Sequence, residues 1–245
     1  MGDKDIRIRW ETVGAVVRQP EPGNRVFTTA TLEQWVAWIF DHPVGEPLWY
    51  DDEKADWWDG PASVTLEYAT RLFEDPAGYL ETYSDAQLGQ GFWFLASPEA
   101  SAQLTTILIQ QLPWAQRQRC LRAMVSLFEK LFAVRCSPRL SHLMEQGANP
   151  LNAACYMWWD HLRDFAQASK KSHSEVQAEM IKVMTDILNI ESDACRESAL
   201  HGLGHWRSFS PDAVKSIIRK FIAVHPGVHP QLKAYAEEAA EGKVL

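Results

Sequence analysis

The stretch 193-DACRESALHGLG-204, continued by His205, Trp206 and Arg207, decides how the rest of the chain is read. It places Cys195, Glu197, His201 and His205 within eleven residues, with the histidines at i and i+4. On a helix turning about 100° per residue, Cys195, Ala199, Leu203 and Trp206 share one face, and Glu197, His201 and His205 lie on the other. Cys195 therefore points away from both histidines. Glu197 stands eight residues from His205, about 12 Å along the axis, whereas ligands sit only ~2 Å from a zinc ion. His201 and His205 can chelate together as the two histidines of an HExxH helix do, but the glutamate of that motif is missing. Further ligands have to come from outside the helix, and Asp160, His142 and His161 are the residues on offer. The expectation is no metal and no cofactor, with His201 and His205 as helix-packing or surface residues that mark the first place to look for a polar cleft.

Gly202 and Gly204 should each cost ~1 kcal/mol relative to Ala inside a helix, and close approach of neighbouring helices is a sufficient reason for them. Outward from here the helical signal continues. Leu121, Met124, Val125, Phe128, Leu131 and Phe132 form an i, i+3, i+4, i+7 stripe. Leu151, Ala154, Cys155, Trp158, Trp159 and Leu162 form another, as do Val176, Met180, Val183 and Ile187, and Val214, Ile217, Ile218, Phe221 and Ile222. Thr31 with Gln34, Ser84 with Gln87 and Ser172 with Glu175 have capping-box spacing. Pro98, Pro150, Pro211 and Pro230 suit a first helical position. These signals predict about ten helices, near 31–41, 61–74, 84–96, 98–110, 113–134, 150–167, 173–189, 192–207, 211–224 and 230–241. The fold expected is all-α: an antiparallel α-solenoid or irregular helical array over 29–245, preceded by an arm, 1–28, in which Ile6, Ile8 and Trp10 alternate as in a short hairpin or an extended segment.

Composition narrows the function classes. The net charge of −8 is uneven, with 7 Lys/Arg against 18 Asp/Glu in residues 1–113 and 15 against 11 in 114–225. An acidic front half does not suit a phosphate backbone, so nucleic acid is not expected. It suits a basic protein partner, or simply keeps the chain in solution. No apolar run reaches the ~18 residues of a membrane span. The N-terminus lacks an apolar h-region, so a cytoplasmic protein is expected, in which Cys120, Cys136, Cys155 and Cys195 are reduced thiols. The segment 43-PVGEPLWYDDEKADWWDG-60 breaks the helical pattern, and its acids lack the glycine of a Ca²⁺ loop. It reads either as a loop pinned by its aromatics or as an acidic-aromatic recognition surface. WWD recurs at 57–59 and 158–160 without matching flanks.

Residues 193–204 resemble a HEAT-like repeat helix, with Asp193, Arg196, Ala199, Leu203 and Gly204 at the pattern positions and Cys195, Leu200 and Gly202 departing from it. Together, 31-TLEQWVAWIFDHPV, 136-CSPRLSHL, 149-NPLNAACYMWWD and 195-CRESALHGLGHW resemble an uncharacterised bacterial family of acidic, Trp-rich helical proteins, from about residue 29 onward. That resemblance implies no activity. The iron-binding HEAT-repeat hydroxylases use His-Glu dipeptides, and this chain has none. HEAT-like DNA glycosylases depend on a basic groove, which the charge distribution does not provide.

Two functions are weighed. One is a helical scaffold that binds a basic protein, for which an immunity or antitoxin-like protein is one concrete form. The other is a hydrolase or metal-dependent enzyme with a cleft lined by Trp158, Asp160, His201 and His205. The residues named for binding are Trp57, Trp58, Trp158, Trp159, Asp160, His201 and His205.

Overall fold

The computed structural model describes residues 23–101, 103–167 and 174–244. The hairpin or arm expected over 6–17, and the Ser172 cap, lie outside the described residues. Helix makes up 66% of the structure and strand almost none, so the chain is all-α. The helices are α1 (Leu32–Phe40), α2 (Ala62–Glu74), α3 (Pro76–Leu80), α4 (Asp85–Ala96), α5 (Trp114–Leu127), α6 (Ala133–Arg135), α7 (Pro150–Tyr156), α8 (Trp158–Gln167), α9 (Ser174–Ile187), α10 (Asp193–Trp206), α11 (Pro211–Val224) and α12 (Pro230–Ala240). A π-helical turn, Phe128–Phe132, joins α5 to α6. Two-residue strands β1 (Val26–Phe27) and β2 (Trp57–Trp58) pair in parallel.

The start signals act as the sequence implies. Thr31 and Ser84 each accept from the backbone three residues on, and Gln34 and Gln87 return the bond, completing two capping boxes. Asn149 caps α7 through Leu151 N–H. The Ser97-Pro98 signal opens no α-helix. Residues Gln103–Leu108 form a 3₁₀ helix buried on every side, and Ser101 and Thr106 spend their hydroxyls on the carbonyls of Phe94 and Gln103. Local side-chain bonds of this kind compete with the α-helical ladder. The stripe from Leu151 to Leu162 also divides, at Met157 between α7 and α8. The bend leaves both Trp158 and Trp159 fully buried, although they are sequence neighbours.

Contacts between helices are not confined to neighbours in sequence. α2 packs on α5, α4 on α7 and α5 on α9, while α10 meets α7, α8, α9, α11 and α12. The sequence assigns α10 an apolar and a polar face, and the structure buries both. Among its fourteen residues all but Asp193, Arg196 and His205 are buried. Gly202 and Gly204 make this enclosure geometrically possible. A Cβ on Gly202 would lie 2.6 Å from Trp159 Cγ and 2.6 Å from Met184 Sδ, and one on Gly204 would lie 2.7 Å from Val244 and 3.4 Å from Ala239 Cα. The first glycine therefore admits α8 and α9, and the second admits α12.

Elsewhere, the 43–60 loop is pinned by its aromatics. Trp57 and Trp58 are buried, and Trp58 Nε1 donates to Thr65 Oγ1 at 2.8 Å. Asp51, Asp52 and Glu53 remain exposed. Among the described residues no helix is long and apolar enough to cross a membrane.

Candidate functional site

The close approach of α8 to α10 at Gly202 has a chemical consequence. Asp160, one residue beyond Trp159, is carried onto the polar face of α10. Its Oδ1 lies 3.0 Å from His201 Nε2 and 3.1 Å from His205 Nε2, and the two Nε2 atoms are 3.2 Å apart. One carboxylate and two imidazoles thus converge as a nearly equilateral triangle of ligating atoms. The expectation of no metal set rested on the spacing within α10, the missing HExxH glutamate and the absence of His-Glu dipeptides. Asp160 was among the outside residues on offer, but α8 supplies it from 41 positions earlier in the sequence, so its convergence with the two histidines was not visible.

The triangle has the size a metal requires. Donors ~2.1 Å from an ion stand about 3.0 Å apart at octahedral angles and about 3.4 Å apart at tetrahedral ones. The directions fit as well. Both imidazoles reach ion-pair distance of Asp160 Oδ1, yet among the described residues this buried oxygen accepts no hydrogen bond of acceptable geometry. Ring nitrogens aimed at a common ion miss each neighbouring donor by roughly 45°, which bends an N–H···O contact to the limit of a useful hydrogen bond. Burial pushes the Asp160 carboxyl up, but its contact with His201 and the charges of His201, His205 and His161 outweigh this and hold it below the usual value. It is an anionic donor.

Exposure is graded across the three. His201 is fully buried, His205 16% exposed at its side chain and Asp160 25%. The site is anchored on the inside and reaches solvent through Asp160 and His205, as an ion with open coordination positions would require.

A second layer holds the inner histidine. Tyr235 of α12 places its hydroxyl 2.6 Å from His201 Nδ1 and 3.0 Å from the Tyr156 hydroxyl. Desolvation, then the Tyr156 contact, pushes the Tyr235 phenol far up, and desolvation takes Tyr156 up to about 12, so both keep their protons. His142 stacks on Tyr235 at 4.1 Å. Glu197, 1% exposed, takes His142 Nδ1 at 2.6 Å and the backbone N–H groups of Ser141 and His142 at 2.9 Å each. As the helical geometry implies, Glu197 is no partner of His205; it ties the 141–143 turn to α10. No spacing rule relates Tyr235 or Tyr156 to His201, and sequence reasoning did not find them.

The remaining sequence-named residues lie elsewhere. Trp158 and Trp159 are fully buried. Trp158 sits edge-on among Phe73, Phe92, Phe128 and Phe132, and Trp159 stacks on Phe128 at 5.8 Å. Both precede Asp160 directly in α8 and are held in the core by this packing. Cys195 faces the Phe128 carbonyl on the opposite side of α10, and all four cysteines are free thiols. A separate open groove of about 640 Å³ is lined by Phe27, Trp38, His42, Trp49, Asp52 and Asp56 among others, and none of the triad residues borders it. No family model, no curated protein and no solved structure matches the chain.

Proposed function

We propose that the chain is a divalent-metal-dependent enzyme of hydrolytic type, in which Asp160, His201 and His205 hold one transition-metal ion from one side. The observation that carries this reading is the triangle of Oδ1 and two Nε2 atoms with 3.0, 3.1 and 3.2 Å edges, in which the buried carboxylate oxygen accepts no well-directed hydrogen bond among the described residues. Two imidazoles and one carboxylate suit zinc, iron and neighbouring first-row ions. Three protein ligands leave positions for water and substrate, the pattern of catalytic rather than structural sites. A bound ion supplies a Lewis acid and brings the pKa of a coordinated water toward ~7. The chain's own part is to fix the donors and keep Asp160 ionised.

The protein-binding reading has charge as its support: Asp51, Asp52 and Glu53 are exposed, but the tryptophans that would anchor such a contact are buried.

The test is metal analysis of purified protein, followed by Co²⁺ titration and turnover of chromogenic ester and phosphate probes with and without chelator. One ion per chain, a visible Co²⁺ spectrum and chelator-sensitive turnover are expected. His205→Ala, at the more accessible of the two histidines, should remove all three. Binding that survives both His205→Ala and His201→Ala, or no binding by the wild type, overturns the metal centre. Binding without turnover overturns the enzymatic part.

A further inference from the structure

We infer that Tyr235 and Tyr156 are positioning residues: their two hydroxyls form a relay that fixes the tautomer of His201 and keeps its Nε2 free to ligate. The inference rests on the metal reading above and extends it to groups that touch no ion.

The argument is a proton count. His201 is fully buried, and its Nδ1 lies 2.6 Å from the Tyr235 hydroxyl. Tyr235 carries one hydroxyl proton and has two hydroxyl-range neighbours, His201 Nδ1 and the Tyr156 hydroxyl at 3.0 Å. If Tyr235 donates to Tyr156, its oxygen accepts from Nδ1–H, and the lone pair of His201 is at Nε2, facing Asp160 and His205. If Tyr235 donates to Nδ1 instead, the imidazole proton moves to Nε2 and blocks ligation. The hydrogen bond made by one ring nitrogen thus decides what the other can do. Which way Tyr235 points depends on Tyr156, the acceptor on its far side.

Glu197 is occupied by His142 and two backbone N–H groups, so it does not draw the Tyr235 proton. The His142 ring stacked on Tyr235, and the Tyr156 ring 4.2 Å from that of His201, restrict both phenols to this arrangement. His201 and Tyr235 are fixed in turn by Gly204, which lets α12 approach α10.

Removal of the Tyr156 hydroxyl should leave Tyr235 with Nδ1 as its acceptor and drive His201 to the Nε2–H tautomer. Removal of the Tyr235 hydroxyl should leave Nδ1–H without its acceptor. The experiment combines long-range ¹H–¹⁵N correlation spectra of ¹⁵N-histidine-labelled, metal-free protein with Co²⁺ titration of the wild type, Tyr156→Phe and Tyr235→Phe. His201 should be protonated at Nδ1 in the wild type and at Nε2 in Tyr156→Phe. Both variants should bind Co²⁺ about 10–100-fold more weakly, the range for lost outer-shell partners. Near-wild-type melting of the metal-free variants shows that the fold is retained. An unchanged tautomer in Tyr156→Phe with Co²⁺ affinity within twofold overturns the relay and leaves the metal centre standing. A wild type that takes no Co²⁺ sinks the metal reading and with it the relay's ligating role; the histidine spectrum still decides whether the tyrosines set the tautomer.

Discussion

The tripeptide Trp-Trp-Asp occurs twice, and its two copies have different fates. At 57–59 its two tryptophans form β2, beside β1, and Asp59 just beyond donates its N–H to the Phe27 carbonyl. At 158–160 it opens α8. In both copies an indole covers a glycine: Trp58 over Gly60, and Trp159 over Gly202. The first copy is polar-satisfied, with the Trp58 N–H bonded to Thr65. In the second, the N–H groups of Trp158 and Trp159 are buried without hydrogen-bond partners among the described residues. Each such group costs about 1–3 kcal/mol. The first copy fastens a loop. The second sets an aspartate against two histidines, and the same three letters acquire chemistry from what packs opposite them.

The largest expected effect follows from the aspartates. Asp160→Asn should weaken Co²⁺ binding by more than about 100-fold, beyond the ~10–100-fold of outer-shell changes, whereas Asp59→Asn should leave it unchanged. Equal effects in titration calorimetry would erase the distinction between the two copies. The glycines come next. Gly202→Ala and Gly60→Ala both force a methyl against an indole, and overpacking of ~1–3 kcal/mol lowers the melting temperature by on the order of 5 °C. The helix-propensity gain of Ala at Gly202, ~1 kcal/mol, offsets only part of this. Gly202→Ala should also weaken metal binding, because it displaces Trp159 and with it Asp160. Loss of metal affinity in Gly60→Ala would show that the two pairs are coupled after all.

The smallest effect contrasts Asp160 with a buried carboxylate that has conventional cationic partners. Glu179 is 3% exposed; burial pushes its pKa up, but Arg122 at 2.6 Å, Gln118 and Lys182 outweigh this and hold it below the usual value. A depressed folded-state pKa stabilises above the unfolded value, near ~4.3, and the contribution is lost as pH falls through the folded one. Glu179→Gln should therefore melt slightly below the wild type at pH 7, with the gap closing as pH drops below about 4. A gap that stays constant down to pH 2–3 would assign the effect to packing instead.

Much of the architecture was legible because local rules dominate it. The capping boxes at Thr31 and Ser84, the α5, α9, α10 and α11 stripes and the glycine argument all depend on residues within a few positions of each other. The failures are equally local in cause. Serine and threonine hydroxyls diverted 98–110 from α-helix, and the interruption at Met157 has no breaker residue to announce it. The site was half legible. The i, i+4 histidines and Asp160 were singled out, but their convergence was not visible, and neither were Tyr156 and Tyr235.

By itself the sequence determined most of the helices, the chelating spacing of His201 and His205, the separation of Cys195 and Glu197 from them, and the small residues that permit close packing. Tertiary structure decided that α10 is enclosed rather than half exposed, that Asp160 meets both histidines, and that Tyr235 faces Nδ1. The physical reason is one of range. Helical geometry relates residues a few positions apart, whereas Asp160 and Tyr235 reach His201 across 41 and 34 positions through helix contacts set by volume at two glycines. Periodicity carries no record of which helix fills that space.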